Sequence, residues 1–216
     1  MSLNLLEKYI EMGDSLAIDN LLHNNPSLAK QKTSHDISPL LLACYYKKLQ
    51  LVKVILKHLD EVDIFEAAAA DLIEVTTSLL DQNPSLLNEH SPHGFTPLGM
   101  ATHFGNENIV RFLLRKGANP NLPSENGYHV YPLHTAVDSN FEGIAKMLVE
   151  AGAEVNVIQT YNMTPLHAAA QNGNIELLIL LLENGALVDI KNDTGKTASD
   201  LAFEKGHREI AHILAV

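Results

Sequence analysis

Thr164–Gly185 reads TPLHAAAQNGNIELLILLLENG, and its interpretation decides the fold. The stretch reads as two short helices back to back. Thr164 offers a hydroxyl to cap the first, Pro165 falls at the first helical position where a missing N–H costs nothing, and Gly173 supplies a left-handed residue to end it. The second helix is expected to begin near Asn174 and to stop at Asn184–Gly185. Its Leu and Ile run is apolar nearly all round, so one hairpin alone cannot cover it and neighbours are required on both sides.

Shifted copies of this stretch occupy most of the chain. The tetrapeptide returns as TPLG at Thr96, YPLH at Tyr131, TPLH at Thr164 and TASD at Thr197, with a weaker SPLL at Ser38; the later steps are 35, 33 and 33 residues. The turn between the paired helices falls in the same register at Gly105, Asn140, Gly173 and Gly206, and upstream at Gly13, Lys47 and Asp71. The endings KGANPN, AGAEVN and NGALVD close three later units. Several copies of T-P-L-H-x-A in phase at about 33 residues resemble the ankyrin repeat.

The resemblance implies an all-α fold: an ankyrin-type solenoid of about seven helical hairpins joined by short β-hairpin-like finger loops. It covers one domain, 1–216, divided at about 1–31 (N-terminal cap), 32–60, 61–89, 90–124, 125–157, 158–190 and 191–216 (C-terminal cap). The first unit lacks the tetrapeptide but carries a helix over LNLLEKYIEM, a turn at Gly13–Asp14 and a second helix ending before Asn25–Pro26. Its ending NNPSLA reappears as QNPSLL at Gln82–Leu87, which pairs the first unit with the third. From Lys47 to Asp71 the turn-to-turn step falls to 24 residues. The missing part is the finger, so a notch in the row of loops is expected before Phe65. Around LPSENGYHVYP two extra residues predict a longer finger. Ala101, Ala136, Ala168 and Ala169 are expected where first helices approach closely, and the second helices supply Leu, Ile and Val for bulk.

The composition agrees with a folded, helix-rich chain: 46% hydrophobic, 19% charged and 6% aromatic residues. A net charge of −11 opposes non-specific attraction to nucleic acid or an anionic membrane. No apolar run approaches the ~20 residues of a membrane span. A single cysteine, Cys44 in the helical run LLLACYY, excludes an internal disulfide framework, suits a reducing, cytoplasmic setting and reads as a buried small hydrophobe.

No catalytic constellation emerges. His134 and His167 belong to the tetrapeptide, where an imidazole can bond the Thr side chain and loop backbone. His90, His93 and His103 suggest a metal or small-molecule site in the fourth unit, but no cysteine accompanies them and they divide between loop and helix. Neither a phosphate-cradling glycine motif nor a nucleophile elbow is present. The chain is therefore expected to be non-enzymatic, with no cofactor or metal.

What the repeat leaves free is more informative. In ankyrin-like arrays the finger tips and the solvent-facing side of the first helices form a concave groove that holds partners. The matching positions are His35, Ile37, Tyr45 and Tyr46 in the second unit and His93, Phe95, His103 and Phe104 in the fourth. The fifth contributes Tyr128, Val130, Asp138 and Ser139, and the sixth Tyr161, Met163, Gln171 and Asn172. Six aromatic residues fall in this set, and aromatics are enriched in interface hot spots. The structural alternative is that Phe95 steadies its finger and that Tyr45 or Tyr46 closes the gap left by the missing one. From His58 to Val110 nine acids occur without a Lys or Arg, either steering a basic partner or forming a solvated face. The expected partner is another protein or a peptide, bound by a monomer. The alternatives are a regulatory or inhibitory subunit of an enzyme and a structural chain that self-associates through its C-terminal face.

Overall fold

The computed structural model describes residues 2–215; Met1 and Val216, the outer limits of the first and last expected units, lie outside the described residues. Helices follow one another in pairs. They are α1 (Ser2–Met12) and α2 (Ser15–Asn24), α3 (Pro39–Tyr45) and α4 (Leu49–Leu56), then α5 (Ile64–Ala69) and α6 (Ile73–Gln82). The series continues with α7 (Pro97–Phe104) and α8 (Glu107–Arg115), α9 (Pro132–Asp138) and α10 (Glu142–Glu150), α11 (Pro165–Asn172) and α12 (Ile175–Glu183), and ends with α13 (Ala198–Glu204) and α14 (Arg208–Leu214). The sequence pair NNPSLA and QNPSLL folds as two 3₁₀ turns, Pro26–Lys30 and Pro84–Asn88. No strand occurs among the described residues, and the only ladder-type pairing among them is an isolated bridge between Gln159 and Met163.

These helices span 6 to 11 residues. Isolated segments of that length are marginal in water, so packing must hold them. The turn inside each pair is left-handed at every position expected from the register: φ is +83° at Gly13, +54° at Lys47, +57° at Asp71, +74° at Gly105, +57° at Asn140, +71° at Gly173 and +87° at Gly206. At Gly173 a side chain would also be stopped by the His207 ring, which packs against the place where a Cβ would stand.

First helices stack in a row from α1 to α13, and second helices form a parallel layer. Ala101, Ala136, Ala168 and Ala169 are buried between first helices, while Leu177, Leu178 and Leu181 of α12 are fully enclosed. Enclosure of α12 is one-sided, however: Ile175 and Ile179 remain exposed on its outer face. One core runs from Leu6 to Leu214.

The outer layer is not continuous. Each of the second helices α6, α8 and α10 packs on the next and α2 packs on α4, but neither α4 with α6 nor α12 with α14 makes a comparable contact. The connection between α4 and α5 runs only from Lys57 to Asp63, against fourteen to sixteen residues between later pairs. This is the expected shortened connection in the row of loops.

Candidate functional site

The finger loops begin with local hydrogen bonding. Each is closed by one backbone bond across its base: Thr33 N–H to Ile37 O (2.8 Å), Ser91 to Phe95 (2.9 Å), Ser124 to Val130 (2.9 Å), Gln159 to Met163 (3.0 Å) and Asn192 to Lys196 (2.9 Å). Tips of the later fingers are then tied to each other. Glu125 N–H donates to Gly94 O at 2.8 Å, the Thr160 N–H and hydroxyl to Tyr128 O at 3.3 and 2.8 Å, and Asp193 N–H to Tyr161 O at 3.0 Å. Gly94 is required at its tip: φ is +78°, and a Cβ would stand 2.7 Å from Asn126 N. The second finger has no such link to the fourth because the intervening one is missing.

Tetrapeptide histidines are structural. The His167 Nδ1 accepts from the Thr164 N–H (3.2 Å) and hydroxyl (2.8 Å), and its Nε2–H donates to Lys196 O at 3.3 Å in the next finger. Thr164 and His167 together form the capping box that starts α11, in keeping with the expected Thr164 cap, with the imidazole added to it. Elsewhere the simple cap holds, with Ser38 accepting from Leu41 N–H (3.2 Å) and Thr96 from Gly99 N–H (3.0 Å). His134 donates from Nε2 to Met163 O at 3.0 Å, but Tyr131 replaces the threonine and leaves Nδ1 buried without a partner. Burial therefore lowers its pKa to about 4. Cys44 is a free, buried thiol pushed up to about 12 by the same effect.

None of the sixteen positions singled out above is buried. Tyr45 and Tyr46 are 44% and 39% exposed, Tyr128 61% and Tyr161 70%. The structure brings the second and fourth units together across the short α5. Tyr45 meets the Phe104 ring edge-on at 4.9 Å between centroids and His103 at 5.5 Å, while His103 and Phe104 lie 5.0 Å apart. Ala69 and Ala70 occupy the corresponding positions of the third unit, and their small size lets the rings meet over them. Burial beside these rings lowers the His103 pKa, with Lys47 adding to the effect, so the imidazole is neutral near pH 7. A hollow of about 350 Å³ beside this cluster is lined by Leu49, Val52, Ala70 and Phe141 as well. A second, of about 240 Å³, joins Ile37, Tyr45, His93 and Phe95 over Phe65 and Met100. His35 and Tyr46 line the adjoining surface with Ile37.

The remaining positions extend along the row without converging on these hollows. Tyr128 and Tyr161 project from consecutive fingers, with Val130 and Met163 half-buried at their bases. Asp138 and Ser139 are exposed at the end of α9. Asn172 uses its side-chain amide on Val137 O (3.2 Å) and Asp138 O (3.0 Å), and Gln171 O accepts from His207 Nε2 at 3.1 Å, so both also help hold neighbouring helices. His90 bonds Pro123 O at 3.0 Å and lies apart from the His103 cluster. Sequence reading missed Phe65, Phe141 and Leu49. It also missed the third unit's tetrapeptide slot, Asp63–Glu66, although D-x-x-E is a capping-box signal; Asp63 accepts from Glu66 N–H at 2.7 Å and Glu66 from Asp63 N–H at 3.3 Å.

The sequence profile for ankyrin repeats (3 copies) matches residues 64–159 and 133–215. The chain belongs to the ankyrin-repeat family. Relatives include the "Ankyrin repeat and SAM domain-containing protein 6" of Rattus norvegicus, 33% identical over 68% of this chain and 14% of that protein. The "Probable 26S proteasome regulatory subunit p28" of Saccharomyces cerevisiae is 27% identical over 67% of this chain and 54% of its own length. The human "NAD-capped RNA hydrolase NUDT12" is 36% identical over 39% of this chain and 18% of that protein. This ankyrin chain thus spans about half or less of the length of these relatives. Ankyrin repeats are generally protein–protein interaction modules. No described helix of this ankyrin array is long and apolar enough to cross a membrane.

Proposed function

We propose that residues 1–216 form one ankyrin-repeat interaction domain, divided as above, that holds a protein or peptide partner along its finger row and first-helix face without catalysing a reaction. The observation that carries this reading is the Tyr45–His103–Phe104 cluster, exposed at Tyr45 and His103 and half-buried at Phe104, continued by Tyr128 and Tyr161 on tied fingers. Rings are rigid, amphipathic anchors, and a scaffold already ordered before binding loses little entropy when a partner docks. His35, Ile37, Tyr46, His93 and Phe95 belong to the same surface around the notch. Val130, Asp138, Ser139, Met163, Gln171 and Asn172 extend it toward the C-terminal units.

A regulatory-subunit reading is favoured by one observation, the likeness to a relative named as a proteasome regulatory subunit. It uses the same surface with a different consequence. A cytoplasmic setting accords with the free thiol of Cys44.

The test is a variant carrying Tyr45→Ala, Phe104→Ala and Tyr128→Ala, compared with wild type in affinity capture and in titration of each captured partner. Helical content by circular dichroism should persist, and affinity should fall by about a hundredfold, the effect of losing roughly 3 kcal/mol of hot-spot contact. Unchanged affinity in a folded triple variant would remove the groove assignment.

A further inference from the structure

Between the 3₁₀ turn Pro26–Lys30, the Lys57–Asp63 connection and α6, a cleft of about 880 Å³ opens. Lys30, Ser38, Asp63 and Glu66 stand between it and the hollow over Phe65, lining both, but none of the exposed aromatics of the groove borders the cleft. Its apolar lining is the buried Ala29 with Leu59, Val62, Val75 and Leu79, which are half-covered. Around these stand Asp60, Glu61, Asp63, Glu66 and Glu74. Lys30 is the cleft's single cation and is already bonded to Asp60 at 2.8 Å. Among the described residues Glu61, Asp63, Glu66 and Glu74 form no ion pair. Burial, with Asp63 beside it, also holds the Glu66 carboxyl above its ordinary range, so a cation arriving there would relieve an existing cost.

We propose that this cleft is a second docking site, separate from the aromatic groove, and that it takes an extended segment of a partner protein in which Lys or Arg alternates with aliphatic residues. Charge complementarity names the occupant. Glu61 and Glu74, exposed and without an ion-pair partner, attract the cationic heads together with Asp63 and Glu66, whose carboxylates cap the start of α5, and the apolar lining covers the methylene stems and the intervening aliphatic side chains. The space exists because the third unit lacks its finger, so an extended guest occupies room that the chain's own loop fills elsewhere. A polyanion is repelled by the same margin.

The test uses the full chain and a fluorescein-labelled decapeptide of alternating lysine and valine, with a glutamate–valine peptide of equal length as control. Anisotropy should show micromolar binding of the basic peptide alone, weakened by raised salt. The double variant Glu61→Lys, Glu74→Lys, both at exposed positions, should bind about tenfold or more weakly. Glu176→Lys with Glu183→Lys on α12, the same change in net charge elsewhere, should bind within about twofold of wild type. The aromatic triple variant should keep wild-type affinity, which separates this site from the groove. The proposal is overturned if wild type does not bind the basic peptide, if the cleft variant binds it unchanged, or if the α12 variant loses as much. Equal loss in the aromatic variant overturns it too, placing the peptide in the groove.

Discussion

His134 and His167 hold the same slot in successive units, yet their surroundings differ by one residue. Thr164 satisfies the His167 Nδ1, whereas Tyr131 leaves that of His134 without a partner. Restoring the pattern with Tyr131→Thr should stabilise the protein by about 1 kcal/mol through the recovered cap and hydrogen bond. Thermal unfolding followed by circular dichroism should show a midpoint about 2–4 °C higher. The buried imidazole also makes stability depend on pH. Its folded pKa of about 4 lies below the ordinary 6.5, so the unfolded chain binds the proton first. The contribution is complete above about pH 6.5 and is lost as pH falls toward 4. His167, lowered by burial, acts in the same direction. Denaturant midpoints measured between pH 7 and pH 4.5 should fall steadily, and His134→Gln should flatten the slope.

At the scale of the element, α12 shows why a short helix survives. Its nine residues would not persist alone, but Leu177, Leu178 and Leu181 are completely enclosed between α10 and α11. Truncation of Leu178 or Leu181 to Ala removes packed atoms and leaves a cavity, at a cost of about 2–5 kcal/mol. Ile179→Ala, on the exposed face, should cost under about 1 kcal/mol. Thermal midpoints of the three variants check the enclosure directly; equal, small shifts would mean that α12 is not held as described. The run of Leu and Ile did not distinguish the enclosed residues from the open ones, because every position is apolar and only the neighbouring helices select a face.

Across the whole molecule the packing is uneven. Repeat arrays derive stability from units and from the interfaces between them, and the contact between α3 and α5 is sparser than those between other successive first helices. Behind it the cleft lies between the Pro26–Lys30 turn and α6. The packing of α3 on α5 and the Tyr45–Phe104 ring contact span the junction, and the Lys30–Asp60 and His58–Asp19 pairs hold the connection to the first units. The Lys30–Asp60 pair is exposed and contributes little. Hydrogen exchange should therefore resolve two cooperative blocks, residues 2–57 and 64–215, with the amides of 58–63 exchanging first. A Tyr45→Ala change should widen the difference between the blocks. Uniform protection across the junction would contradict this division.

Much of the architecture was legible without coordinates. Glycine, or a residue able to stand left-handed, marks each turn in phase, and small residues at fixed offsets mark close helix contacts, so local geometry was encoded by spacing. The missing finger was legible for the same reason, as a shortened step between Lys47 and Asp71. Position in the repeat also named Tyr45, Phe104, Tyr128 and Tyr161 as free side chains. It could not show that Tyr45 and Phe104, which belong to units that are not neighbours, touch across Ala69 and Ala70, nor that Phe141 completes their hollow. It could not show that an acidic cleft opens between the Pro26–Lys30 turn and α6. Period and turn chemistry act along the chain and are written in it; the meeting of rings and the opening of the cleft depend on how the stacked units curve and splay, which only the tertiary structure decides.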